Sequence, residues 1–297
     1  MKLNILCIGG FLHKKNLHAL SLYPNTTHKW VDMGQFEALT EDDVKAYDCV
    51  YSPSIPVQVS KYPNTRFIFG PHFNVFPDHD PISTIKGPHS TYIMPSQWPI
   101  AAWKTFSVCH DLDMQVVPFA VDTHRFMPSK PLSARTKVFV YYKSRNPNDL
   151  TIVLNVLNSC GVAAKVFQYG SYQEAEYLEY LRDSKYGIWV DAHESQGFAL
   201  EEALAMDIPL LVWNITSMNQ EYYQSRPDFP ATTIPYWDER CGEVFYNVAD
   251  LQSTMKTFLQ KLESSAYSPR KFIEETLSPH VCEQRLHDVV FSLTSKT

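Results

Sequence analysis

No C-x-x-C pair occurs in this sequence, and its six cysteines, Cys7, Cys49, Cys109, Cys160, Cys241 and Cys282, are scattered. That distribution argues against a disulfide framework and for a reducing compartment, with Cys7, in an apolar strand-like run, the usual buried free thiol. No apolar run reaches the roughly 18 residues of a membrane span. The start, MKLNILCIGG, is apolar but short and is followed at once by polar residues; it reads as a first β-strand and not as a signal peptide. The expectation is a soluble protein, cytoplasmic or in another reducing compartment, with peripheral membrane association left open. A basic excess is missing too. The net charge of -6 leaves no electrostatic footprint for nucleic acid and argues against it as a partner.

What is present suffices for packed cores. The 297 residues are 44% apolar, 20% charged and 13% aromatic, a composition that excludes disorder and suits one large domain or two ordinary ones. Short apolar runs recur at Leu3–Ile8, Cys49–Ser52, 66–69, 91–94 and 115–117, and again at 137–142, 164–169, 187–190 and 209–213. Helical patterns lie between them at 149–159, 172–183 and 197–206. Such alternation predicts parallel sheets built from βαβ units. The stretch MPSKPLSART, 127–136, lacks apolar periodicity and reads as a linker. It separates an N-terminal Rossmann-like domain, 1–125, from a C-terminal one, 130–297. Helical spacing over 281–293 predicts a final helix, either capping the second domain or packing back on the first.

In doubly wound sheets ligands bind outside the carboxyl ends of the strands, so the residues just past each strand are the candidates. Gly9 and Gly10 follow the first strand and suit either a close backbone approach to a ligand or a tight turn. Lys143-Ser144-Arg145 follows KVFVYY. In an extended chain residues two apart point to one side, and two cations there suit a diphosphate, Arg as a fork and Lys as a point charge. HESQGFALEEALAMDIPLLVW, 193–213, follows GIWV. It predicts a helix whose first turn near Glu194 to Gly197 offers free N–H groups to an anion, then a buried strand. Glu202, inside that helix, suits a ribose diol, and Glu194, before it, suits sugar hydroxyls. Glu201 sits about 100° around the helix from Glu202 and reads as an internal control. His72, in FGPHFNVFP, reads first as a structural loop histidine. Its second reading is a group exchanging protons near neutral pH. Asp78-His79-Asp80 reads as a solvated loop.

These stretches together resemble the retaining GT-B glycosyltransferases, family 4 in particular. That family carries E-G-F-G-L-P-x-x-E-A-x-A-x-G-x-P; here Glu194, Gly197, Glu202, Ala203, Ala205 and Pro209 match. Ser195, Gln196, Ala199 and Asp207 depart from it. PSQW, 95–98, is similar to its P-S-x-W segment. VPFAVDTHRFMP, 117–128, is similar to I-P-N-G-V-D-x-x-x-F-x-P, with Ala120 in place of the glycine. The resemblance covers about residues 90 to 245. It implies an α/β protein of GT-B type, two Rossmann-like domains facing a central cleft, with the acceptor on the first side and a nucleotide-sugar donor on the second.

The same resemblance implies roles. Lys143 and Arg145 would neutralise the donor diphosphate. Backbone N–H groups of Ser195, Gln196, Gly197, Phe198 and Ala199 would hold phosphate or sugar. Glu194 would contact the transferred sugar and Glu202 the ribose. Tyr169 or Tyr172 would stack on the base, and His72 would lie near the acceptor or the sugar 6-hydroxyl. Gly9 and Gly10 would line the donor. The implied activity is a metal-independent, EC 2.4-type transfer from a UDP- or GDP-linked sugar to a glycan, lipid or small molecule. No metal and no further cofactor is expected. A nucleotide-sugar epimerase of the same fold, or a non-catalytic binding module, is the alternative.

Overall fold

A computed structural model describes residues 2–293. The chain forms two compact units. The first takes in residues up to Ala120 together with those from Pro279 onward, and the second runs from Val121 to Ser278.

The first unit holds a six-stranded sheet of β1 (Leu3–Ile8), β2 (Thr26–Val31), β3 (Cys49–Ser52), β4 (Phe67–Phe69), β5 (Ser90–Met94) and β6 (Met114–Val116). All neighbours are parallel, in the order β2-β1-β3-β4-β5-β6. Its central strands, CVYS, FIF and STYIM, are buried at every position, as strands covered on both faces must be. Phe36, Phe67, Phe69, Tyr92 and Trp103 fill one core against this sheet.

The second unit holds β7 (Lys137–Lys143), β8 (Ala164–Gln168), β9 (Ser184–Asp191), β10 (Leu210–Trp213) and β11 (Gly242–Phe245). They are again parallel, in the order β11-β10-β9-β7-β8. Counted from its own first strand, this order repeats the first unit's 2-1-3-4-5. In such a sheet the order reverses between the first and third strands, which leaves a crevice at their carboxyl ends. Those ends are Ile8 and Ser52 in the first unit, Lys143 and Asp191 in the second.

Two strands escape the sequence pattern. Both β2, reading TTHKWV, and β11, reading GEVF, are sheet edges with half-exposed residues, so neither carries the unbroken apolar run of a central strand. The stretch expected to be a linker is part of the second unit. Arg135 within it is buried and donates to Lys130 O, Ser184 O and Met206 O, which ties the segment to the sheet's lower edge. The last helix, Pro279–Ser292, groups with the first unit. Its Glu283 accepts from Asn25 N at 2.6 Å and Thr26 Oγ1 at 2.8 Å, and His287 Nε2 lies 3.0 Å from the same hydroxyl.

Candidate functional site

The second unit gathers most of the candidate residues at the β7/β9 crevice. Lys143 ends β7 and Asp191 ends β9, and the two are register partners. Their side chains therefore leave the same position of adjacent strands. Three residues on, the chain turns back and brings Glu194 to Lys143, whose Nζ pairs with Glu194 Oε1. The ammonium also lies 4.7 Å from the centroid of the Tyr169 ring, over its face, where the ring quadrupole attracts it. Burial works against the charge on Lys143, but the Glu194 and Asp191 carboxyls outweigh it and hold its pKa above the ordinary lysine value.

Glu194 is held from behind. Its N–H donates to Thr232 O at 3.1 Å. Asn214 Oδ1 accepts from Ile215 N, Thr232 Oγ1 and Thr233 N, and Thr233 Oγ1 reaches Asp191 O at 3.3 Å. The long segment after β10 thus returns to brace the turn. Gly197 caps the helix Phe198–Ala205 with φ 98°, a left-handed backbone that costs a residue with a Cβ about 1–2 kcal/mol. The N–H groups of the first helical turn, Phe198 and Ala199 among them, open at that cap.

Arg145 has a different fate. Ser144 has φ 50°, so the chain is not extended there and the alternation that would align Lys143 with Arg145 is interrupted. Arg145 is only 5% exposed. Its Nε and Nη2 bond Asp149 Oδ2 at 3.0 Å, and Nη1 bonds Asp191 O and Trp213 O at 3.2 Å. Its guanidinium also lies 4.9 Å from the Trp213 ring centroid. The guanidinium, with five N–H donors in a rigid fork, is spent largely on the protein itself.

Glu201, which the sequence offers as an internal control for Glu202, is fully buried. Oε2 accepts from Gln196 Nε2 at 3.0 Å, while Oε1 is buried without a hydrogen-bond partner. Burial lifts its pKa well above the carboxylate range, with Glu202 and Glu194 adding to the shift against the Gln196 hydrogen bond. Stability from such a group is full below the unfolded carboxyl value, about 4.3, and is lost as pH rises through the folded one. Glu201→Gln keeps an acceptor for Gln196 without an ionisable proton, so its melting temperature should exceed the wild type's by a margin that grows from roughly pH 5 to pH 9. Glu201→Ala, which removes the acceptor of Gln196 Nε2, should cost about 1–3 kcal/mol. Thermal melts across that range check both, and parallel wild-type and Gln curves would refute the buried-acid assignment. Glu202, one residue on in the same helix, is buried as well.

The remaining candidates lie in the first unit. Gly9 donates to Val31 O at 2.7 Å. A Cβ on Gly10 would stand 2.4 Å from Ser54 Oγ and 2.9 Å from Ile55 Cγ1, so the contact between the β1 and β3 loops already requires glycine there. His72, beyond β4, donates its backbone N–H to Pro53 O and meets the Phe11 ring edge-on at 5.2 Å. Burial, with nearby His13, pushes its pKa down to about 4. That shift speaks for the first reading of His72, a structural loop histidine, over the second, a group exchanging protons near neutrality. Because the folded value is depressed, its stabilising effect is present above about 6.5, the unfolded value, and is lost as pH falls toward 4. His72→Gln should flatten that acid limb of the stability curve. An unaltered limb in the variant would show that the histidine contributes nothing to it.

Asp191 escaped the sequence reading, although a carboxyl ending the buried strand SKYGIWVD marks a strand's carboxyl end as plainly as Lys143 does. Tyr172 packs edge-on against Tyr141, whereas Tyr169 is 57% exposed. Among the described residues no group of three or more His, Cys, Asp and Glu is placed to hold a metal ion, and no helix is long and apolar enough to cross a membrane.

No family model matches the sequence, and no curated protein matches it. Solved structures do resemble the fold. The apo lipopolysaccharide outer core galactosyltransferase WaaB matches with a TM-score of 0.55 at 12% identity, over 97% of this chain and 99% of that one. Sucrose-phosphate synthase from Thermosynechococcus elongatus matches at 0.54 and 10%, over 100% of both. A mutant of TarM from S. aureus, solved with Fondaparinux, alpha-GlcNAc-glycerol and UDP, matches at 0.53 and 14%, over 82% of this chain and 56% of that one. The two parallel-sheet α/β units have the GT-B fold of the glycosyltransferases.

Proposed function

We propose that this protein is a glycosyltransferase of EC 2.4 type, moving a sugar from a nucleotide-diphosphate sugar to a glycan, lipid or small-molecule acceptor. The observation that carries the reading is the Lys143–Glu194 pair at the β7/β9 crevice, beside the Gly197 helix cap with Glu202 buried in the same helix. A ligand anion arriving there meets one half-buried ammonium and a row of backbone N–H groups, the elements that bind phosphate elsewhere.

Breaking the bond between the anomeric carbon and a diphosphate builds negative charge on the leaving group. Donors fixed in advance where that charge grows lower the barrier most. Lys143 and the N–H groups from Ser195 to Ala199 supply them without a metal ion. Once Lys143 turns to the diphosphate, Glu194 accepts from sugar hydroxyls, and Glu202 accepts from the ribose. Tyr169, exposed beside Lys143, offers a face to the base. Retention of configuration follows if the leaving diphosphate itself assists deprotonation of the acceptor on the same face. The UDP bound in TarM and in the pneumococcal O-GlcNAc transferase GtfA makes UDP the first donor base to try, with GDP the second.

The test is product analysis with a panel of UDP- and GDP-sugars, each with and without glycan and lipid acceptors. Donor consumption that depends on an acceptor supports transfer. Donor converted without an acceptor indicates epimerisation, and binding without consumption indicates a binding module.

A further inference from the structure

Between β10 and the brace at Thr232 and Thr233 the chain makes a closed loop, residues 217–230. Its neck is antiparallel: Met218 N donates to Phe229 O at 2.9 Å, and Ala231 N to Thr216 O at 3.2 Å. Ser217 Oγ donates to Asp228 Oδ1 at 2.6 Å across the same neck. Further out, Arg226 Nε pairs with Glu221 Oε2 at 2.7 Å, both side chains largely covered. A loop with its ends together, held by its own side chains, is an Ω-loop, a form that frequently carries function. The tip is tied to the turn that carries Lys143, because Tyr222 N donates to Ser144 O at 2.8 Å. There Gln224 N donates to Tyr222 O at 2.8 Å, and Tyr223 between them has φ 65°. A hydrogen bond spanning two residues around a positive φ is a γ-turn of the strained kind, which suits a residue with a large side chain least. Burial does not offset that strain. Tyr223 is 77% exposed and Tyr222 39%, and their rings meet each other edge-on at 4.3 Å. Strain that surrounding contacts maintain, without any gain in burial, points to a side chain held out for a ligand.

We propose that the loop 217–230 is a carbohydrate-binding finger, with Tyr222 and Tyr223 as the platform on which a pyranose unit of a neutral oligosaccharide stacks. A pyranose has a face of C–H groups and a rim of hydroxyls. Its face packs on a phenol ring, and tyrosine presents that area rigidly, with two side-chain torsions to fix. Its rim needs uncharged donors and acceptors, and Gln224 and Ser225, the exposed residues next in the chain, bring an amide and a hydroxyl. The charges nearest the tip, Glu221 and Arg226, are paired with each other, so a neutral ligand meets no unbalanced charge from them. A lipid surface calls instead for a broad apolar face flanked by basic residues, and this loop carries two acids, Glu221 and Asp228, against the single base Arg226. The glycosyltransferase reading makes the bound oligosaccharide the acceptor, and so selects a glycan over a lipid or a small molecule; the binding itself does not rest on that reading.

Saturation-transfer NMR on the full chain, with neutral tetrasaccharides of glucose, mannose and N-acetylglucosamine, tests this, alongside calorimetric titration of the same proteins with UDP. Wild type should bind at least one of the tetrasaccharides. Tyr223→Gly should weaken that binding by about tenfold, while Tyr223→Phe, which keeps the ring, should retain most of it. Glycine adopts a positive φ without strain, so Tyr223→Gly should melt no lower than wild type, and UDP affinity should be the same in all three. Wild type that binds none of the sugars overturns the proposal, as does Tyr223→Gly that binds them as well as wild type. A lower melting temperature in Tyr223→Gly, with weakened UDP binding, would make the ring a structural part of the crevice and overturn it too. Binding to phosphatidylglycerol vesicles that Tyr223→Gly abolishes, with no sugar bound, would assign the rings to a membrane instead. Tetrasaccharide bound without UDP leaves the finger standing and defeats the nucleotide-sugar reading; UDP bound without tetrasaccharide defeats the finger alone.

Discussion

Lys143→Ala should weaken binding of the nucleotide diphosphate by about 10- to 100-fold, and lower turnover by about 100- to 1000-fold. The two figures differ because the charge on the leaving group is larger at the transition state than in the ground state. The ammonium sits at the carboxyl end of β7, with Glu194 as its partner and the Tyr169 ring 4.7 Å away on one side. An arriving phosphate need only displace one carboxylate. Lys143→Arg should recover part of the binding but less of the turnover, since a planar fork does not reproduce a compact point charge. Calorimetry with UDP and GDP, followed by initial rates, separates the two effects. Equal affinities in wild type and Lys143→Ala would remove the lysine from the site.

Arg145→Ala should lose stability before it loses anything else, by about 2–4 kcal/mol. The substitution strips Asp149 of its buried partner and leaves Asp191 O and Trp213 O without donors. These three groups lie on β9, on β10 and on the helix Pro147–Ser159, so the guanidinium clamps the carboxyl ends of the elements that carry the site. Denaturant titration measures the loss directly, and a small domain's linear dependence on denaturant makes a change of this size easy to read. Arg145→Ala that melts with the wild type but fails to bind nucleotide would reverse the assignment and return the arginine to the diphosphate. The two substitutions therefore separate two residues that the sequence presents as a matched pair.

That pair shows what a sequence can and cannot deliver. The runs CVYS, STYIM, KVFVYYK and LLVW are each a strand with a buried centre, because a strand covered on both faces is apolar at most of its positions. The edge strands TTHKWV and GEVF were not legible, since half their positions face outward. At the site, Lys143, Glu194 and Gly197 were legible from type and spacing. The left-handed Ser144, which sends the next side chain elsewhere, was not, because serine carries no signal for a positive φ. The burial of Glu201 was not legible for a related reason. Helical periodicity puts it about 100° around from Glu202, but it does not say whether that face meets solvent or, as here, the protein interior. Asp191 and the brace formed by Asn214, Thr232 and Thr233 depend on contacts made across the sheet and on the return of a long segment, and sequence spacing does not encode those.

A crystal structure of the wild type with UDP or GDP bound would test the central claim most directly. The diphosphate should lie within hydrogen-bond reach of Lys143 Nζ, which will have left Glu194, and face the N–H groups at the Gly197 helix cap. Nucleotide bound at any other place, with the Lys143–Glu194 pair intact, would contradict it.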